Sequence, residues 1–96
     1  MIDHVTPGEL KARLDAGERP CVLDVRESWE LEISRLDGTV HIPMNEITGR
    51  LSELDPTRET VVMCRSGGRS LRVAEYLARN GFAKVANLTG GILAWG

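Results

Sequence analysis

Lysine is nearly absent from this 96-residue chain, cysteine is scarce, and no apolar run is long. Each shortage excludes something. With two lysines and ten arginines against 14 acidic residues, the net charge is −2, and the chain has no basic footprint for nucleic acid. No apolar run approaches the roughly 18 residues of a membrane-spanning helix. The start, Met1-Ile2-Asp3-His4, lacks the basic-then-apolar order of a secretory leader. The two cysteines, Cys21 and Cys64, form no CxxC pair, so neither a thioredoxin-type dithiol nor a zinc knuckle is encoded. His4 and His41 are not spaced for a metal, and no metal or organic cofactor is expected. Reduced thiols and the missing leader point to a cytoplasmic protein with no membrane partner.

What is present suits one small globular domain spanning residues 1–96. At 42% hydrophobic and 27% charged, the chain is too apolar for disorder. A chain of this length buries roughly 65% of its unfolded surface, enough for one core without disulfides. Ten glycines and four prolines are ordinary, and the glycines separate short elements.

Thr6, Pro7 and Glu9 form a capping box with proline at the first helical position, so a helix is predicted from there to Ala16-Gly17, with Leu10 and Leu14 on its apolar face. Cys21–Val25 reads as a buried strand. A short helix follows over 28–33, with Ser28 as its cap and Trp29 and Ile33 as its apolar face. Asp37-Gly38 turns the chain into an extended Thr39–Pro43. A helix is predicted over 45–54, capped by Asn45, with Ile47, Leu51 and Leu54 inward. Thr60–Met63 is the most continuous β-branched run and reads as a central parallel strand buried on both faces. After Gly67-Gly68 a helix runs over about 69–80, with Leu71, Ala74, Leu77 and Ala78 inward, and Asn80-Gly81 stops it. Val85–Leu88 is the last strand, and Ile92–Trp95 a closing helical turn. The order implies an α/β fold: a small, mostly parallel sheet of about four to five strands with helices on both faces.

In such sheets ligands sit beyond the carboxyl ends of the strands, which is where Cys64 stands. The segment Cys64-Arg65-Ser66-Gly67-Gly68-Arg69-Ser70 joins a buried strand to a helix. Its small residues let the backbone curl, and the helix start points free amides back at the loop. A nest of N–H groups with arginines on either side of the glycines lowers a thiol's pKa, and the thiolate is the nucleophile. The same cysteine without these neighbours is ordinary core filling. A phosphate loop is excluded, because GxxxxGK[ST] needs a lysine that is missing here.

Four segments together resemble the rhodanese-like domain, a single-domain sulfurtransferase module. They are Leu23-Asp24-Val25-Arg26-Glu27, Gly38-Thr39-Val40-His41-Ile42-Pro43, the Cys64–Ser70 loop, and Leu88-Thr89-Gly90-Gly91-Ile92 with Ala94-Trp95. The resemblance covers essentially the whole chain. It implies that Cys64 takes a sulfane sulfur from a small anionic donor such as thiosulfate. The resulting persulfide then gives its outer sulfur to cyanide, or to a protein or small-molecule thiol. It further implies that the backbone of Arg65, Ser66, Gly67, Gly68, Arg69 and Ser70 holds the outer sulfur, with Arg65 and Arg69 drawing in the donor. Asp24 and Arg26 are assigned a structural role beside the loop, against the alternative of an exposed ion pair. His41 is expected in a packed turn, Cys21 in the core and Trp95 as a core lid. The protein is expected to act as a monomer.

Where the family commonly has histidine in a Gly-His-Ile-Pro-Gly segment, this chain has Arg35 within Ser34-Arg35-Leu36-Asp37-Gly38, so no role of that histidine transfers. Family domains often run a few residues past the last signature, and a further segment beyond Gly96 is left open. Two other functions compete. Related cysteine phosphatases and arsenate reductases hold a tetrahedral oxyanion in a Cys-x5-Arg loop, whereas only four residues separate Cys64 from Arg69. Regulatory rhodanese-like modules bind without catalysis, but they usually lack the cysteine.

Overall fold

The computed structural model describes residues 2–95. Its centre is one all-parallel, five-stranded sheet in the order β1-β5-β4-β2-β3. The strands are β1 (Asp3–Val5), β2 (Cys21–Asp24), β3 (Val40–His41), β4 (Thr60–Met63) and β5 (Val85–Leu88). The helices are α1 (Pro7–Asp15), α2 (Ser28–Ile33), α3 (Ile47–Arg50) and α4 (Gly68–Arg79). No helix among the described residues is long and apolar enough to cross a membrane.

Alternation along the central strands divides the core. Val61 and Met63 of β4 point to one face, with Val22, Ala86, Leu88 and Leu10 of α1. Val62 and Cys64 point to the other, with Leu23, Ile47 of α3 and Val73, Ala74 and Leu77 of α4. Every residue of β2, β4 and β5 is buried, as a parallel sheet covered on both faces requires. In register, Asp24 lies beside Met63, and Asn87 beside Val62. The carboxyl edge thus gathers Asp24, Cys64 and Asn87.

The capping box at Thr6 and Glu9 forms as the sequence predicts. Several details differ from what the sequence predicts. β1 is an added edge strand on β5; only Val5 of its three residues is buried, which left no alternation to read. α2 is capped by Glu27, whose N–H donates to Glu30 Oε1 at 3.1 Å, and Ser28 is its first residue. Its faces are reversed: Glu30 is buried while Trp29 and Ile33 are exposed. The helix expected over 45–54 is three short pieces, 3-10 turns at Met44–Glu46 and Leu51–Glu53 on either side of α3. In α4, Ser70, Val73, Ala74 and Leu77 are the buried set, and Leu71 and Ala78 are half-buried. The closing turn is a 3-10 helix, Gly91–Ala94.

Beyond β2 the chain folds back on itself through an ion pair. Arg26 Nη2 donates to Asp24 Oδ2 at 2.7 Å, Arg26 Nε to Oδ1 at 3.0 Å, and the Arg26 amide to Oδ1 at 3.1 Å. The side chains are 3% and 0% exposed, so this pair lies inside the fold. His41 Nε2 donates to the Arg26 carbonyl at 2.7 Å, tying β3 to the same turn. Removing one member of a buried pair strands the other charge, which costs about 3–5 kcal/mol. Arg26→Ala is therefore expected to lower the unfolding free energy in urea by that amount; a loss below about 1 kcal/mol, the level of an exposed pair, would contradict the assignment.

Candidate active site

The site begins where β4 runs out. Cys64 follows Met63 at the carboxyl edge and is completely buried. The chain then has to reach the start of α4 within a few residues. Gly67 makes this possible at φ +106°, a left-handed conformation that favours glycine, and is also the cap residue of α4. Its N–H donates to Cys64 Sγ at 3.1 Å. Burial pushes the Cys64 thiol up, but donation from the Ser70 hydroxyl and from the amides of Ser70, Gly67 and Ser66 outweighs it, and the net shift is downward. Cys21, buried without such donors, is pushed up. Both thiols are free, and only one is activated.

Three distant segments hold the loop in place. Ile92 N–H donates to the Cys64 carbonyl at 3.0 Å and Leu93 N–H to the Arg65 carbonyl at 3.1 Å. Gly91, at φ +57°, makes this approach possible; a Cβ there would collide with both carbonyls. This gives the Leu88–Ile92 signature its physical reason. From β5, buried Asn87 bridges the loop: its Oδ1 accepts from Ser70 Oγ at 2.5 Å and its Nδ2 donates to the Gly67 carbonyl at 3.3 Å. The Ser70 hydroxyl has one proton and faces two acceptors, Asn87 and the sulfur. Asn87 was missed in the sequence; its signal was a lone amide in an apolar strand whose other positions are all core.

The loop's two arginines differ. Arg69 is held by Glu30 in a bidentate pair, at 2.7 Å and 2.8 Å, and is not free to wrap a substrate. It still lies close enough to Cys64 for the two charges to interact. The Arg69 guanidinium holds the Glu30 carboxyl down to about 2, so this pair stays intact at any ordinary pH. Arg65 is exposed, has no carboxylate partner among the described residues, and forms part of the wall of a neighbouring cavity. Ser66 and Ser70 contribute amides, Ser70 also its hydroxyl, and Gly68 opens α4 with no steric demand for glycine. Asp24 and Arg26 stand behind the loop: Arg26 Nη1 reaches the Glu30 carbonyl at 3.5 Å, so their pair also supports α2. Trp95 packs against the β4 face carrying Val61 and Met63, and also lines the cavity.

A thiol shifted downward by loop donors at the carboxyl edge of a parallel sheet defines an α/β domain with a polarised cysteine where such folds bind ligands. Its family is equally plain: the rhodanese-like domain matches residues 6–96, and the chain belongs to that family. YtwF of Bacillus subtilis (strain 168) is 38% identical over 94 residues, 98% of this chain and 90% of that protein. A protein of Allochromatium vinosum named sulfurtransferase is 35% identical over 95 residues, 99% of this chain and 89% of that one. A crystal structure of a rhodanese-like domain protein from Staphylococcus aureus superposes with a TM-score of 0.93 at 32% identity, covering 99% of this chain and 92% of that one.

In the Cys21→Ser protein, thiolate ultraviolet absorbance reports Cys64 alone. Its midpoint is expected below that of an ordinary thiol, and Ser70→Ala is expected to raise it. A midpoint at or above the ordinary value would contradict the donor arrangement.

Proposed function

We propose that the protein is a sulfurtransferase in which Cys64 carries a sulfane sulfur as a persulfide, taken from thiosulfate or a similar small anionic donor. The observation that carries this reading is the buried Cys64 sulfur accepting from the Gly67 N–H at 3.1 Å in the turn that opens α4, with the thiol shifted downward by the loop's donors. Such donors stabilise negative charge wherever it resides on the sulfur chain, and they need no rearrangement during reaction.

The loading step balances simply. The Cys64 thiolate attacks the outer sulfur of thiosulfate, a Cys64 S–S bond forms, the donor's S–S bond breaks, and sulfite leaves with the electron pair. In the second step cyanide or a thiolate attacks the outer sulfur, the Cys64 S–S bond breaks, and Cys64 regains its thiolate. Splitting one transfer into two displacements is covalent catalysis. Arg65, exposed and without a carboxylate partner among the described residues, draws the anionic donor, and Arg69 adds field from its paired position. The sulfurtransferase name of the 35%-identical relative supports the activity. The short span from Cys64 to Arg69, with Arg69 already committed to Glu30, weighs against a phosphatase. The presence of an activated Cys64 weighs against a purely regulatory module.

Intact-mass spectrometry after thiosulfate treatment tests this. The wild type is expected to gain one sulfur atom that cyanide removes as thiocyanate, and Cys64→Ala to gain none. No adduct from thiosulfate, mercaptopyruvate or an organic persulfide would overturn the reading.

A further inference from the structure

An open cavity of about 830 Å³ borders the Cys64 loop, with Arg65 in its wall. A small inorganic anion such as thiosulfate leaves most of that volume empty and makes no use of its apolar walls. The rim carries Trp29 and Ile33 of α2 and Leu93 of the closing turn, exposed at 62%, 76% and 61%, with Trp95 behind them. Large apolar side chains scattered singly over a surface mean little, but several around one concavity mark an interaction surface. Glu30 is turned inward to reach Arg69, while Trp29 and Ile33 on the flank of the same short helix stand exposed at the cavity.

The charge of the cavity narrows what fits it. Arg26 is neutralised by Asp24, and Glu30 by Arg69. Arg35 and Arg65 also line the cavity, and neither has a carboxylate partner among the described residues. The wall is therefore positive and apolar on a chain of net charge −2. A second copy of the chain is a poor occupant, because a two-fold contact would bring these arginines against themselves. A lipid surface would shut the loop away from a water-borne donor.

We propose that the rim of Trp29, Ile33 and Leu93, with Arg35 and Arg65, docks an acceptor protein that presents its cysteine among apolar side chains flanked by carboxylates. The proposal rests on the sulfurtransferase reading and names its acceptor class. The acceptor thiolate attacks the outer sulfur of the Cys64 persulfide. A new S–S bond forms on the acceptor, the bond to Cys64 Sγ breaks, and the electron pair stays on Cys64. The sulfane sulfur passes between two thiolates, and no oxidant or reductant is needed.

Single-turnover transfer from the persulfide-loaded protein to two peptide thiols tests the docking. One peptide has leucines beside its cysteine and aspartates at its ends; the other has serines and lysines. Rates are corrected for each peptide's thiolate fraction. The leucine-aspartate peptide is expected to react about tenfold faster, with the advantage shrinking as salt is added. Trp29→Ser with Ile33→Ser is expected to remove the apolar part of the advantage, and Arg35→Glu to reverse the charge preference. Both variants should pass sulfur to cyanide as the wild type does. Equal rates on the two peptides would overturn the docking. So would a dimer of the protein that Trp29→Ser with Ile33→Ser abolishes, or sedimentation with phosphatidylserine vesicles. A protein that passes no sulfur even to cyanide removes the sulfurtransferase reading itself, and the docking with it.

Discussion

Everything around Cys64 depends on one constraint: the chain must pass from the end of β4 to the start of α4 in a few residues, directly over a buried sulfur. So short a path brings the amides of Ser66, Gly67 and Ser70 to the sulfur's side of the turn. Gly67 makes the turn geometrically possible, and its amide is the one that meets the sulfur at 3.1 Å. Burial alone would make Cys64 an inert core thiol, as it does Cys21. The same burial, combined with converging donors, gives a thiol shifted downward and shielded from water.

The rest of the domain keeps that path fixed. The C-terminal 3-10 turn holds the carbonyls of Cys64 and Arg65, β5 holds Gly67 and Ser70 through Asn87, and α2 holds Arg69 through Glu30. Asp24 and Arg26, at the neighbouring strand end, hold α2 in turn. The loop is thus secured by segments far away in sequence. The orientation of α2 has a second consequence. Glu30 is drawn inward by a charge, and the apolar residues beside it are left at the mouth of the cavity.

Local chemistry was legible where it decided the outcome locally. The capping box at Thr6 and Glu9, the β-branched run of β4 and the strand-glycine-helix passage after Cys64 each carry their own signal, and each forms. α2 defeated pattern reading because the residue that sets its orientation, Arg69, lies 39 positions away. Spacing showed Trp29 and Ile33 on one face, but it could not show that an ion pair would draw the neighbouring Glu30 into the fold instead. The phase of α4 was misjudged for a related reason. Ser70 is turned in to meet Asn87, and that selects Val73, Ala74 and Leu77 as the buried set, leaving Leu71 at the edge. Arg65 and Arg69 look alike in sequence, and only the fold shows that one has no carboxylate partner among the described residues and the other is committed.

The most direct measurement is a crystal structure of the protein after thiosulfate treatment. If the loop is built in advance for a persulfide, the outer sulfur will lie over Cys64 within about 3.5 Å of the Ser66–Ser70 amides, allowing for the longer reach of sulfur acceptors. The Gly67–Asn87 and Ile92–Cys64 hydrogen bonds should remain unchanged. An outer sulfur pointing away from the amides, or a loop that had to unwind from Asn87 and Ile92 to admit it, would contradict the account.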